Sequence, residues 1–383
     1  MSRSDLRGRE SKTGMSQISP SHTRVVSIQV LRGVAALMVI FYHLRFSEQL
    51  MSTPEKCVLS PLLIMGAAGV DLFFVISGFI MVTVTQKKFG AKGAVRAFLY
   101  SRFSRVYPIY WLFTLAILTL SLLKPSLLNV PVDSAWNIIQ SFLLFPQAQF
   151  PILKVGWTLV HEIYFYLVFA LFLFLPVRWL TKALALWALF LLLGSAAVWS
   201  TPPPSAGLLD VVVNPLTFEF ILGCLIALTL QKSSPLSGWI PLVLGLALLC
   251  VAAAFVSHLN MSFLSNIREN WIRLAACGMP AALIVYGAVA LEKKGKVFLP
   301  WFQSLGDASY SLYLVHLFVL SAMVKLWSFN PWHGTMTKIL WLSAMVALAV
   351  VSGLLIPPFV ENPLLTWTHA VKTRFLGPKT LTS

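Results

Sequence analysis

Ten apolar runs divide this chain, near residues 25–44, 60–85, 106–123, 156–175, 182–199, 212–231, 240–257, 271–291, 308–328 and 338–360. A helix that crosses a bilayer needs roughly 20 consecutive apolar residues. The expected fold is therefore an all-α integral membrane protein with about ten transmembrane helices. Composition agrees: 58% of residues are hydrophobic and 11% charged, against about 25% charged in soluble domains. A water-soluble enzyme is excluded, as is a disordered or fibrous chain. An eleventh apolar stretch, residues 136–146, is too short to span alone and reads as an interfacial or re-entrant helix.

The 29 Lys and Arg residues exceed the 13 Asp and Glu residues, giving a net charge of +16. On a soluble protein that excess suggests a nucleic-acid partner. Here its placement points to the bilayer instead. With the N-terminus inside, twenty of the basic residues fall in inner segments, six in outer ones and three within spans. Cytoplasmic segments are enriched in Lys and Arg, so both termini are expected in the cytoplasm. Residues 1–24 read as a polar cytoplasmic tail, 25–363 as one membrane domain and 364–383 as a C-terminal cytoplasmic tail. Cys57, Cys224, Cys250 and Cys277 show no CxxC or Cys/His spacing, so neither a metal nor a disulfide framework is expected.

Ionisable groups in hydrocarbon cost at least a few kcal/mol, which makes each a functional candidate. Arg32 and His43 lie eleven residues apart in the first run. At 100° per residue they share a helix face, with a rise of about 16 Å between them. Asp71 sits in the second run and reads as a counter-ion for Arg32. The adjacent Ser77-Gly78 pair reads as a close helix contact. Arg102 and Arg105, three residues apart beside Tyr107, form a two-pronged clamp suited to phosphate oxygens. Glu162 is expected at a depth similar to His43, where a carboxylate can orient an imidazole. His161 reads as interfacial, while Glu219, Arg273 and Lys325 read as structural pairs or snorkelling groups. Ser309, Tyr313 and His316 follow one another at spacings of four and three, which gives one polar stripe.

Seven segments in order carry a resemblance to a known family. They are Gln29-Val-Leu-Arg32 through His43, Gly69-Val-Asp71 through Phe79, Arg102-Phe-Ser-Arg105-Val-Tyr-Pro108, and Gly156-Trp-Thr through Tyr166. Phe218-Glu219-Phe-Ile-Leu-Gly223, Gly306-Asp-Ala-Ser through His316, and Glu361-Asn-Pro363 complete the set. Together they resemble the membrane-bound acyltransferase family 3, the integral-membrane O-acyltransferases of bacterial glycans, and within it the exopolysaccharide-production acetyltransferases.

The resemblance implies transfer of an acyl group, usually acetyl, from cytoplasmic acyl-CoA to a sugar hydroxyl at the outer face. It points to Arg32, His43, Arg102 and Arg105 as the critical groups. On this reading His43 is the general base, with Glu162 or Asp71 orienting it. Arg102, Arg105 and Tyr107 hold the donor, while Tyr164, Ser309, Tyr313 and His316 contact substrate. Acyl-CoA is a substrate rather than a resident cofactor. The acceptor is a cell-surface polysaccharide or its lipid-linked precursor. The competing expectation is a proton-coupled transporter or exporter of a polysaccharide precursor, relaying through Arg32, Asp71 and Glu162. The absence of an internal repeat weighs against it.

Overall fold

The computed structural model describes residues 25–52, 56–124, 134–147, 149–199, 207–232, 237–259, 267–297, 299–331 and 334–376. Within them the chain is helical and contains no strand. Its helices are α1 (Val26–Met51), α2 (Ala68–Thr85), α3 (Ala94–Leu123), α4 (Ala135–Leu143) and α5 (Gly156–Phe172). There follow α6 (Leu180–Ala197), α7 (Leu208–Val212), α8 (Thr217–Lys232), α9 (Trp239–Leu259) and α10 (Ile267–Arg273). The last five are α11 (Met279–Glu292), α12 (Gln303–Asp307), α13 (Ser309–Trp327), α14 (Thr335–Ile356) and α15 (Asn362–Leu376).

Eight helical stretches are long and apolar enough to cross a membrane, and two shorter apolar helices fall on the runs expected at 156–175 and 240–257. The tail expected at 1–24 lies outside the described residues. The segment expected as a tail after residue 363 carries α15, whose Thr368 carbonyl accepts the Tyr100 hydroxyl of α3. α3 itself starts at Ala94, twelve residues before its apolar run. The arginines from Arg96 to Arg105 are thus its first turns rather than a loop.

Burial ranks the helices. In the second span, which ends in α2, 78% of the apolar window is buried, against 22% in the α14 span. The core therefore gathers around α2, with residues of α1, α5, α8, α11 and α13 against it. Large apolar side chains such as Leu115, Leu186, Leu193, Val251 and Leu340 stay exposed on the outer helices. In a bilayer that surface faces lipid, which is as apolar as the core.

The Ser77-Gly78 contact is as the sequence suggests. A Cβ on Gly78 would lie 2.0 Å from the Phe220 carbonyl oxygen of α8, and one on Gly223 would lie 1.9 Å from that of Val75. Small residues let two helix backbones meet where lipid gives no hydrophobic drive. Gly223→Ala is expected to lower stability by about 1–3 kcal/mol through overpacking. Thermal unfolding in detergent, read by size-exclusion chromatography, measures it; an unchanged midpoint would contradict this helix contact.

The short stretch at 136–146 forms the nine-residue α4, which packs beside α3. Its C-terminus meets α3 at Tyr107–Trp111, about 20 Å along the helix from Leu123. A helix C-terminus leaves carbonyls without partners, and hydrocarbon supplies no water to satisfy them. Three side chains of α3 do so. Tyr107 Oη, Tyr110 Oη and Trp111 Nε1 donate to the carbonyls of Leu143, Ser141 and Phe142 at 2.8, 2.8 and 2.7 Å.

Candidate active site

A cavity opens among α1, α2, α3, α5 and α13, with about 810 Å³ of empty space once the open solvent at its mouth is included. Its polar lining comes from Arg32 of α1, Ser77 of α2, Arg102 and Arg105 of α3, Thr158, Glu162 and Tyr166 of α5, and Ser309, Tyr310 and Tyr313 of α13. Three guanidiniums thus face one carboxylate. The remaining walls are apolar, with Phe73, Phe74 and Leu159 among them.

Arg32, Glu162 and Arg102 each have a hydrogen-bond neighbour. Arg32 Nη1 donates to Gln29 Oε1 at 3.2 Å. Its guanidinium is repelled by Arg105 and attracted by Glu162 and Glu361. Glu162 is fixed by the Tyr166 hydroxyl, one helical turn along α5, and by Ser77 Oγ at 3.2 Å. Arg102 Nη2 donates to Ser101 Oγ at 3.2 Å, while its Nε is buried with no partner among the described residues. Ser309 Oγ, fully buried on the cavity wall, likewise has none. Buried polar atoms left unpaired are costly, so these two are groups a ligand can satisfy.

His43 stands beyond the cavity's far wall. That wall carries Tyr313, whose hydroxyl meets Thr158 Oγ1 at 2.8 Å and the Val155 carbonyl at 3.1 Å. Behind it the Tyr313 and His316 rings lie 5.9 Å apart, and those of His316 and His43 4.9 Å. His43 Nδ1 is 3.0 Å from the Val39 carbonyl and 3.1 Å from His316 Nε2. The polar stripe of α13 therefore splits: Ser309 and Tyr313 line the cavity, and His316 reaches His43.

Several expected placements are corrected. Asp71 does not pair with Arg32. It receives Arg273 Nε at 3.0 Å and Nη2 at 2.8 Å, and both residues are buried. Neither Asp71 nor Glu162 bonds to His43; the groups that do are a carbonyl and His316. Tyr107 turns from the cavity to the end of α4. Tyr164 turns the other way, donating to the Val212 carbonyl at 3.0 Å. His161 is buried against Trp157 and Phe74 rather than interfacial.

Residues 25–356 match a family described as an acyltransferase domain, Acyl_transf_3. The chain belongs to acyltransferase family 3. Among its relatives is the exopolysaccharide production protein ExoZ of Rhizobium meliloti (strain 1021). It is 32% identical over 273 residues, which cover 68% of this chain and 78% of ExoZ. Acyltransferase MdmB of Streptomyces mycarofaciens is 28% identical over 90% of this chain and 92% of its own length. The peptidoglycan O-acetyltransferase OatA of Listeria monocytogenes serovar 1/2a (strain ATCC BAA-679 / EGD-e) is 26% identical over 90% of this chain and 56% of its own. No solved structure matches the chain significantly.

In this acyltransferase the cavity also takes residues that sequence reasoning left out of the site: Ser77, Thr158, Tyr166 and Tyr310. Tyr166 was accessible in principle, because it stands four residues after Glu162 and so on the same helix face. Glu361, which accepts Ser311 Oγ, sits in a π-helical segment, Pro357–Glu361, that hydropathy does not reveal.

Proposed function

We propose that this multi-pass membrane protein transfers an acetyl group from cytoplasmic acyl-CoA to a hydroxyl of an exopolysaccharide or related surface glycan, at the outer face of the inner membrane. The reading includes ten crossings and both termini inside. One observation carries it: three guanidiniums, Arg32, Arg102 and Arg105, converge on one cavity inside an apolar helix bundle. Unbalanced positive charge is expensive in hydrocarbon, and it is tolerable there for an anionic ligand. CoA is such a ligand, with phosphates at one end and a thin arm that ends in the thioester.

Arg102 and Arg105, near the basic inner end of α3, bind phosphate oxygens through charge-assisted hydrogen bonds. Arg32 lies deeper on α1. Glu162, held by Ser77 and Tyr166, offsets one of the three charges and keeps the cluster open. The arm extends toward the Thr158–Tyr313 wall and brings the thioester to the level of the histidines. The acceptor arrives from the other side. Its oxygen attacks the thioester carbonyl, a C–O bond forms, and the C–S bond breaks. His43 takes the hydroxyl proton and returns it to the leaving sulfur, so the products are an acetyl ester and free CoA thiol. No acyl-enzyme is needed.

The ExoZ and OatA relatives carry exopolysaccharide and peptidoglycan in their names, which supports a glycan acceptor. The donor side is tested by initial rates against acetyl-CoA concentration in membrane vesicles. Each hydrogen bond to a charged group is worth about 1.5–3 kcal/mol, so Arg102→Ala and Arg105→Ala should each raise KM for acetyl-CoA about 10- to 100-fold. An unchanged KM in both would remove CoA phosphate from this cavity.

A further inference from the structure

We infer that His316 is the positioning residue for His43, accepting from its Nδ1–H together with the Val39 carbonyl so that the ring is held with the lone pair on Nε2. The inference rests on the reading of His43 as the base.

Carbonyl oxygens only accept hydrogen bonds, and each histidine has one against its Nδ1 from the preceding helical turn. His43 Nδ1 is 3.0 Å from the Val39 carbonyl, and His316 Nδ1 is 3.3 Å from that of Leu312. Both rings are therefore Nδ1–H tautomers, and His316 Nε2 is left with a lone pair. That lone pair lies 3.1 Å from His43 Nδ1, so the same N–H is shared between the Val39 carbonyl and His316. The opposite arrangement, with His316 donating to a bare His43 Nδ1, sets lone pairs against both carbonyls.

Burial makes the assignment one-sided. His316 is fully enclosed while His43 is half-buried, so the more accessible partner is the one that meets substrate. Among the described residues no carboxylate bonds to either ring. The pair thus takes the place that an orienting carboxylate fills in many hydrolases, with a neutral acceptor in place of an anion. When His43 accepts the hydroxyl proton at Nε2, its Nδ1–H still has two acceptors. The cation that forms keeps its bonds without any movement of the ring. His316 itself does not receive the proton and does not touch the acyl group.

The direct test is solid-state nitrogen NMR of the wild-type protein in bilayers with 15N-histidine, His43 being assigned by loss of its signals in His43→Ala. A protonated Nδ1 and bare Nε2 on His43 are expected. A dominant Nε2–H tautomer would overturn the inference, whatever the activity. Kinetics give the second reading, with labelled acetyl-CoA and the exopolysaccharide fraction of membrane vesicles. His316→Ala should lower kcat on the order of 10²-fold with KM for acetyl-CoA unchanged. His316→Gln, which still offers an acceptor, should recover most of the loss. A raised KM with normal kcat would make His316 a substrate contact instead. A glutamine variant no better than alanine would also count against the positioning role. Full activity in His43→Ala would sink the reading of the base while the NMR result stands on its own.

Discussion

Replacing His43 by alanine lowers acetyl transfer by about 10²–10⁴-fold, the usual contribution of a positioned general base, without removing the protein from the membrane. The half-buried ring projects from α1 and lies beyond the arginine cavity, so its loss leaves the donor side intact. KM for acetyl-CoA should therefore stay within a few-fold of wild type while kcat collapses. That split separates loss of chemistry from loss of binding. It is measured in a deletion strain carrying either form at matched membrane levels, with proton NMR of O-acetyl groups on the exopolysaccharide as readout. Equal acetylation by both forms would make His43 structural.

The largest stability effect is expected at a place that takes no part in the chemistry. Arg273 and Asp71 are bound by three hydrogen bonds of 2.8–3.2 Å and are buried among α2, α10 and Trp157, whose ring lies 5.6 Å from the guanidinium. Arg273 Nη2 also reaches the Ala67 carbonyl at 3.3 Å. Removing either partner strands the other charge away from water, which costs about 3–5 kcal/mol. Asp71→Ala and Arg273→Met should each show that loss. The double variant should lose less than the two together, because neither member of the pair is left without the other; Glu219, buried beside both, still loses the attraction of Arg273. Thermal unfolding of the four proteins gives the coupling directly. Additive losses would mean that the pair does not act as a unit.

How far the site can be read from the sequence depends on the kind of signal each residue leaves. Arg32, Arg102 and Arg105 announce themselves because a guanidinium in or beside an apolar run is expensive, and the structure brings all three to one cavity. The partner of Asp71 leaves no such trace. Arg273 is 202 residues away, and no local spacing distinguishes it from Arg32. The same holds for His43 and His316, which are 273 residues apart. Here the stripe on α13 could be seen, but not the helix it would face. Tyr107 and Tyr164 were misplaced for a simpler reason. Each sits one or two residues from a true cavity residue, and a shift of one position turns a helical side chain by about 100°. The α3 boundary was missed because an apolar window stops at charge, whereas the helix continues through Arg96–Arg105. Span existence was legible; facing and partnership required the fold.

The central claim is that acetyl groups leave acyl-CoA and arrive on a glycan hydroxyl. The most direct measurement follows the label: acetyl-labelled acetyl-CoA is supplied to the cytoplasmic side of membrane vesicles that contain the protein and exopolysaccharide. Alkali-labile label on the polysaccharide, dependent on the protein and lost with His43→Ala, is the result expected. Polysaccharide that gains no label in vesicles bearing folded wild-type protein, with acetyl-CoA left intact, would contradict the account.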